Sequence, residues 1–215
     1  MRPPAALVLR ASWRKPIIRP RIHQQTKRHI MSAPAPARMT ADEFIVWAME
    51  QPEGELYELV AGEVVSMAPE RAAHARTKGR VYEYLVQAIR AAGVPCEAFP
   101  DGMTVQVDAD TIYEPDALVR CGPPLDDNAT RVFDPLILVE VVSPSSRARD
   151  SGGKLEDYFR MPSVRHYLIV KTENRAVIHH ERDAAGAITT RIVRDGTIRL
   201  DPPGIELTGL FLSRR

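Results

Sequence analysis

The most informative stretch of the sequence reads Leu136-Ile-Leu-Val-Glu-Val-Val142. A nearly continuous apolar run of this length predicts a strand that is buried on both faces of a sheet. Glu140 stands in its middle, and Leu136, Leu138 and Val142 share its face, which disfavours an edge strand with one wet face. Because an unpaired buried carboxylate costs several kcal/mol, Glu140 requires a compensating cation, either a side chain or a metal ion.

The segments around this strand mix helices and strands without regular βαβ alternation. Thr40 and Glu43 have the spacing of a capping box and predict a helix start, while Ala61-Gly62 joins two β-prone runs as a hairpin turn. Further helices are predicted over residues 71–92 and 150–160. Other strands are predicted at 56–60, 63–67, 96–99, 103–107, 117–120, 164–170, 176–180 and 188–193. The pattern predicts a single α+β domain, residues 39–215, in which helices flank one central mixed β-sheet.

The N-terminal residues 1–38 differ in composition from the rest. They hold nine of the 29 lysines and arginines and no acidic residue. This basic, proline-containing segment predicts a disordered extension. Three interpretations stay open: sequence translated upstream of a true start at Met31 or Met39, which we favour, a transit-like peptide, or a basic arm for nucleic acid.

The composition of the remaining chain excludes several classes of protein. It holds 20 basic and 28 acidic residues, a net charge of −8, which is unlike a passive nucleic-acid binder. Its apolar runs are only a few residues long, whereas a membrane-spanning helix needs about 20, so no membrane partner is expected. Cys96 and Cys121 are too few for a disulfide framework or a four-cysteine zinc site. They are predicted to be reduced thiols, which favours a cytoplasmic protein.

A second acidic residue stands where a strand should begin. Asp116 follows Pro115 at the entry of an apolar segment, and proline is tolerated at the first residue of a strand. Alone, Pro-Asp is an ordinary turn signal. Paired with Glu140 on a neighbouring strand, Asp116 predicts a two-carboxylate site for Mg²⁺ or Mn²⁺. Lys154, one turn into the next helix, would orient the attacking water or stabilise the transition state, unless it is a solvated surface lysine.

The order of these residues resembles the PD-(D/E)XK nuclease superfamily, whose signature is an Asp, a spacer and Glu-x-Lys. Val142 stands here in place of the lysine. Over residues 39–215 the fuller pattern is similar to the Uma2 family of restriction-endonuclease-like proteins. The matching pieces are Tyr57-Glu-Leu-Val-Ala-Gly-Glu63, His74, Pro115-Asp116, Val139-Glu-Val-Val-Ser-Pro-Ser145, Asp150, Lys154, Tyr158 and Val164-Arg-His-Tyr-Leu-Ile-Val170.

The resemblance implies a restriction-endonuclease-like α/β core and Mg²⁺-dependent hydrolysis of phosphodiester bonds, with Mn²⁺ as a substitute. Asp116 and Glu140 would be the metal ligands, with the carbonyl oxygen of Val141 as a third. Lys154 would reach in from the following helix to replace the lysine that is missing at Val142.

Two more residues gain a role from the same resemblance. Glu58, which strand alternation alone would place outward, becomes a further metal ligand or a partner of metal-bound water. His74, which on its own is more often a surface or capping histidine, would accept a proton or contact a phosphate. His179 and His180 are neighbours on a predicted strand and cannot share one metal ion. Six basic residues either contact phosphate or form solvated faces: Arg71, Arg76, Lys78, Arg80, Arg147 and Arg149.

Three hypotheses of function follow. The first is a metal-dependent endonuclease that cleaves DNA as a homodimer, because cutting two strands calls for two active sites. The second is a nuclease-like fold without turnover that binds nucleic acid or protein, favoured by the missing Glu-x-Lys lysine and the acidic body. The third is a protein in which Lys154 forms only a structural ion pair with the acidic cluster.

Overall fold

The computed structural model describes residues 38–142, 153–173 and 176–208. These residues form three helices: α1 (Ala41–Met49), α2 (Ala72–Ala92) and α3 (Gly153–Arg160). The strands are β1 (Tyr57–Val60), β2 (Glu63–Ser66), β3 (Cys96–Pro100), β4 (Thr104–Gln106), β5 (Ile112–Tyr113), β6 (Ala117–Cys121), β7 (Arg131–Val132), β8 (Ile137–Val142), β9 (His166–Lys171), β10 (Ala176–Arg182), β11 (Ile188–Val193), β12 (Thr197–Leu200) and β13 (Ile205–Thr208). None of these helices has the length and apolar character needed to cross a membrane.

A six-stranded mixed sheet lies at the centre of the fold. Its strand order is β11-β10-β9-β8-β6-β3, with β8 and β9 parallel and the other neighbours antiparallel. A second sheet has the order β2-β1-β5-β4-β7, and β12 pairs with β13 as a hairpin. The predicted α+β fold with a central mixed sheet is therefore confirmed, and the structure adds two smaller sheets to it.

Strand β8 is buried on both faces, as its apolar sequence predicts. All six of its residues are buried. On one face, Val139 packs in a cluster with side chains of α2 and of the β12–β13 hairpin. On the other face, Leu138 packs with α3 and with residues of the five-stranded sheet. The alternation places Glu140 on the α3 side of the sheet.

Local capping and turn signals also act as predicted. Thr40 caps α1 in a capping box with Glu43, and Gly93 ends α2 in the left-handed conformation. Ala61 and Gly62 both have positive φ angles, 49° and 83°, as the two-residue turn between β1 and β2 requires.

The sequence does not predict the four short strands β5, β7, β12 and β13. Two of them contain only two residues, too few to show an alternation of apolar and polar side chains. The predicted helix 150–160 is observed from Gly153 onward, and its first residues lie outside the described ranges. The predicted disorder of residues 1–38 likewise concerns residues outside those ranges, apart from Arg38.

The prediction of reduced cysteines is wrong, because Cys96 and Cys121 form a disulfide. The antiparallel pairing of β3 with β6 places the two residues directly opposite each other. Their separation of 25 residues gives no sign of this contact in the sequence, since only the strand register brings them together. The predicted cytoplasmic location depends on reduced cysteines, so the disulfide removes this support for it.

Candidate active site

Glu140 meets its compensating cation in α3. The Lys154 Nζ atom lies 3.0 Å from Glu140 Oε1 and 2.8 Å from Glu58 Oε1. Tyr158 donates its hydroxyl hydrogen to the same Glu140 oxygen at 2.8 Å. All four side chains are buried, so one ammonium group is shared by two carboxylates out of contact with bulk water. The sequence requires either a cationic side chain or a metal ion beside Glu140. Among the described residues, the Lys154 side chain is that cation.

The helical repeat explains how α3 reaches this point. Lys154 and Tyr158 are four residues apart and therefore lie on one face of α3, which packs on the sheet. The Tyr113 ring of β5 lies 5.0 Å from Lys154 Nζ, which adds a cation–π contact. Lys154 is thus a buried site lysine rather than the solvated surface lysine of the alternative interpretation.

Burial and the neighbouring charges shift the pKa values of Glu140 and Lys154. Burial raises the pKa of Glu140 to about 7, although the Lys154 ammonium acts to lower it. Burial alone would lower the pKa of Lys154, but the carboxylates of Glu140 and Glu58 raise it above its ordinary value. Lys154 therefore stays protonated, and the net charge of the trio depends on Glu140.

Asp116 lies next to this trio, at the start of β6. The antiparallel register pairs Ala117 with Val139, and extending it by one residue places Asp116 opposite Glu140. Asp116 is buried, and its Oδ2 atom accepts a hydrogen bond of 2.5 Å from the Val141 backbone N–H. Because the N–H and C=O of a strand residue face the same neighbouring strand, the Val141 carbonyl is directed to the Asp116 side as well. The predicted strand-mouth position of Asp116 is what the structure shows.

Two cationic side chains of α2 approach Asp116. Lys78 Nζ lies 2.9 Å from Asp116 Oδ1 and 2.9 Å from Asp101 Oδ2, and it also contacts Glu70. His74, one turn earlier on the same helix face, places Nε2 3.4 Å from Asp116 Oδ2. The α2 face that packs on the sheet thus supplies both groups.

These contacts set the protonation of the Asp116 cluster. Burial would raise the pKa of Asp116, but His74, Lys78 and the Val141 N–H lower it below its ordinary value. The Asp116 carboxylate in turn raises the pKa of His74, against the lowering effect of burial. Asp116 is therefore ionised, and His74 is more easily protonated than a free histidine.

Simple strand alternation would place Glu58 on the outward face, but the structure places its side chain inward. It is buried, and its Oε1 atom accepts hydrogen bonds from Lys154 and from the Glu114 backbone N–H at 3.1 Å. Strand β1 lies between β2 and β5, and Lys154 of α3 packs against the Glu58 side chain. The resemblance indicates the position of Glu58 better than alternation does.

The five candidate side chains thus form two adjoining clusters. One joins Glu58, Lys154 and Glu140, and the other joins His74 and Asp116 with Lys78. The Val141 backbone links them, since this residue follows Glu140 and donates to Asp116.

Lys78, Glu70 and Asp101 are missing from the sequence-based set of site residues. Lys78 follows His74 by one helical turn, which is the signal that would have separated it from the other basic residues of α2. Arg71, Arg76 and Arg80 are exposed, unlike Lys78. Arg147 and Arg149 lie outside the described residues.

Within the described ranges, one group of three potential metal ligands has its ligand atoms within 4.8 Å of one another. It consists of Glu70, His74 and Asp116. Glu140 is not a member of this group, and its Oε1 atom accepts hydrogen bonds from Lys154 and Tyr158.

The remaining histidines among the described residues lie elsewhere. His179 contacts His166, whereas His180 contacts Thr190, so the two neighbours point to different partners as strand geometry predicts. Neither takes part in the clusters around Asp116 and Glu140.

Comparison with known proteins identifies relatives of this chain. The model of the family Uma2, described as "Putative restriction endonuclease", matches residues 41–212. The chain is 27% identical over 157 residues to the uncharacterized protein slr1290 of Synechocystis, covering 72% of this chain and 80% of that protein. Its fold is similar to a crystal structure from Anabaena variabilis, described as "a putative nuclease belonging to DUF820". The TM-score is 0.60 at 15% identity, covering 80% of this chain and 97% of the other.

Proposed function

We propose that this chain, which belongs to the Uma2 family, is a metal-dependent endonuclease that hydrolyses phosphodiester bonds of DNA. The observation that carries the proposal is the placement of two buried carboxylates, Asp116 and Glu140, on neighbouring strands beside a buried lysine. Lys154 stands next to Glu140 although the superfamily position for lysine holds Val142. The set of residue types is that of a PD-(D/E)XK site with a relocated lysine.

The donor atoms fit a hard divalent cation. Asp116 and Glu140 offer carboxylate oxygens and Val141 offers a backbone carbonyl, which are the ligand types that Mg²⁺ and Mn²⁺ take. His74 Nε2 is a further buried atom beside Asp116 that has no hydrogen-bond partner among the described residues. When bound, the cation would lower the pKa of a coordinated water and neutralise charge on the phosphate.

The chain's own residues would prepare the site for the reaction. Lys154 holds a permanent positive charge beside Glu140, where it offsets negative charge that develops on a phosphate. Glu58 fixes the Lys154 ammonium from the opposite side and acts as a positioning residue. His74 Nε2 lies 3.4 Å from Asp116 Oδ2, where the imidazole would contact the phosphate or the bound cation.

Three further features of the proposal come from the sequence and from the family. DNA is proposed as the substrate, and a homodimer as the active state because two strands require two active sites. A cytoplasmic location also stays a prediction, although the disulfide removes the thiol argument on which it was based.

Cleavage by the full chain tests the proposal. Supercoiled plasmid, single-stranded DNA and RNA are each incubated with the protein in Mg²⁺, in Mn²⁺ and in EDTA. We expect plasmid cleavage with either metal, none in EDTA, and none with Asp116→Asn. Glu83→Gln is the matched control, because this exposed acid lies on α2 away from the site. Cleavage by Asp116→Asn at the wild-type rate would contradict the proposal, and cleavage of RNA alone would reassign the substrate.

A binding module without turnover is the second candidate. It is favoured by Val142, which leaves no lysine in the superfamily position. The contacts of Lys154 with two carboxylates favour it as well. This candidate predicts retention of DNA in a mobility-shift assay without cleavage in either metal, and equal retention by Glu140→Gln. Metal-dependent cleavage that is lost with Asp116→Asn would eliminate it.

A further inference from the structure

We propose that Glu70, His74 and Asp116 form a divalent-cation site that prefers a transition metal such as Mn²⁺ to Mg²⁺. The inference rests on the proposed function, since Asp116 belongs to both ligand sets. It extends that function by adding two ligands, Glu70 and His74, and by naming the class of metal.

The spacing of His74 and Asp116 suits a shared cation, and Glu70 lies close to both. One carboxylate oxygen of Glu70, one of Asp116 and an imidazole nitrogen of His74 lie within 4.8 Å of one another. His74 Nε2 and Asp116 Oδ2 are 3.4 Å apart. Two atoms that bind one cation at about 2.1 Å, with an angle of roughly 90–110° between the bonds, are about 3.0–3.5 Å apart. A hydrogen bond between the same atoms would be about 2.7–3.2 Å long.

The surroundings of His74 Nε2 also suit a bound cation. The atom is buried and makes no hydrogen bond that meets normal geometry among the described residues, although the Asp116 carboxylate lies 3.4 Å away. Buried polar atoms in folded proteins nearly always have a partner, and a cation between the imidazole and the carboxylate would satisfy both groups. A cation placed between His74 and Asp116 would satisfy this nitrogen.

The position of Lys78 leaves room for such a cation. Its ammonium contacts Oδ1 of Asp116, whereas Oδ2 is the oxygen that faces His74. Lys78 contacts Glu70 at Oε1. A cation held by His74 and Asp116 Oδ2 would therefore use a different Asp116 oxygen from the one nearest to Lys78.

The nitrogen ligand determines the preferred metal. Mg²⁺ is bound almost entirely by oxygen atoms and keeps several waters, whereas transition metals accept imidazole readily. A set of two carboxylates and one imidazole therefore favours Mn²⁺ over Mg²⁺. If Asp116 and Glu140 alone held the ion, the ligands would all be oxygens and this preference would be weaker.

Pulsed electron paramagnetic resonance of the full chain with Mn²⁺ tests the site directly. We expect ¹⁴N coupling to the bound Mn²⁺ in the wild type and in Glu140→Gln, each measured at saturating Mn²⁺. The coupling should disappear in His74→Gln. Glu83→Gln serves as the control and should match the wild type.

Calorimetric titrations with Mn²⁺ alone and with Mg²⁺ alone give a second readout. His74→Gln should weaken Mn²⁺ binding by roughly tenfold or more, because even the loss of a residue that only supports a metal ligand typically costs this much. The same substitution should change Mg²⁺ binding less. Glu70→Gln should weaken binding of both ions. Thermal unfolding of each variant checks that the fold is retained.

The possible failures are distinguishable. Mn²⁺ binding without ¹⁴N coupling in the wild type would overturn the inference and leave the Asp116 and Glu140 site standing. Equal Mn²⁺ affinity of His74→Gln and the wild type would overturn it in the same way. Absence of metal binding in every protein would overturn both the inference and the metal dependence of the proposed function.

Discussion

Lys154 is the residue on which the charge balance of the site depends. Its ammonium lies between Glu58 and Glu140, and all three side chains are buried. Removing one partner of a buried ion pair leaves an uncompensated charge, which is far more costly than removing an exposed one. Lys154 therefore has a structural role whatever its part in catalysis, and the two roles are separable by experiment.

Replacement of this lysine should be strongly destabilising, and a second substitution should relieve it. Lys154→Met leaves two buried carboxylates facing each other, so we expect the free energy of unfolding to fall by about 3–5 kcal/mol. Adding Glu140→Gln removes one of the two charges and should restore part of that loss. Urea unfolding of the wild type, both single variants and the double variant measures the coupling. Additive effects of the two substitutions would show that the charges do not interact as described.

The pair of His166 and His179 makes a separate prediction about pH. His166 Nε2 lies 2.9 Å from the Pro202 carbonyl and must donate to it, so His166 Nδ1 accepts from His179 Nε2 at 3.0 Å. Burial lowers the pKa of both residues, that of His179 to about 3. Both imidazoles are therefore neutral in the folded protein at neutral pH.

The sign of the pH effect follows from proton uptake. Below the ordinary pKa of 6.5 the unfolded chain binds a proton at His179 that the folded chain does not bind. Folded stability should therefore decrease as the pH falls from about 6.5 towards 3, with a slope of at most about 1.4 kcal/mol per pH unit for this group. Urea unfolding at several pH values should show a shallower slope in His179→Gln. Equal slopes in the two proteins would mean that His179 does not contribute.

At the scale of elements, the β1–β2 hairpin positions Glu58. Its turn residue Gly62 donates its N–H to the Asp110 carbonyl at 2.7 Å and accepts from the Met39 N–H at 2.9 Å. A Cβ at position 62 would lie 3.1 Å from Arg38 Nε and 3.4 Å from the Met39 carbonyl oxygen. The turn is therefore restricted both by its φ angle of 83° and by its neighbours.

Gly62→Ala separates these two restrictions when it is compared with Gly54→Ala. Gly54 has a φ angle of 90° and open space around it, so its substitution should cost only the conformational strain, about 1 kcal/mol. Gly62→Ala should lower the free energy of unfolding by more than that. Equal losses in thermal or urea unfolding would show that the contacts around Gly62 yield without cost.

The disulfide between β3 and β6 should stabilise the sheet edge. Cys96 and Cys121 close a loop whose ends are 25 residues apart, and a loop of this length restricts the unfolded chain by roughly 3 kcal/mol. The double substitution Cys96→Ser and Cys121→Ser should lower stability by about this amount. A reducing agent should bring the wild type to the level of the variant and leave the variant unchanged. A wild type that does not respond to reductant would contradict this.

At the scale of the whole molecule, the sequence predicts the helices, strands and fold class more completely than it predicts which distant residues contact each other. The run around Glu140 predicts a strand buried on both faces, and Thr40 and Gly62 mark a helix start and a turn through their own chemistry. Those signals are local, so a single chain segment contains them. The site follows from the segment around Glu140, because a buried acid in a central strand demands a charged partner, whereas the fold class follows from the order of helices and strands along the chain.

What the sequence does not reveal depends on register and on distant pairing. The disulfide exists because β3 and β6 pair with Cys96 opposite Cys121. Lys78 belongs to the site because α2 places it over Asp116, whereas the nearby Arg76 and Arg80 are exposed. Glu58 is buried because β5 and α3 cover its strand, which no alternation pattern within β1 can indicate. Each of these facts requires two segments to be brought together.

The central claim is that Glu140 is a metal ligand of a nuclease site, and one titration tests it most directly. Mg²⁺ is titrated calorimetrically into the full chain and into Glu140→Gln, a variant that keeps the shape of the side chain. We predict saturable binding to the wild type and affinity at least roughly tenfold weaker in the variant. Equal affinity in the two proteins would contradict the claim and leave Glu140 as a structural partner of Lys154 alone.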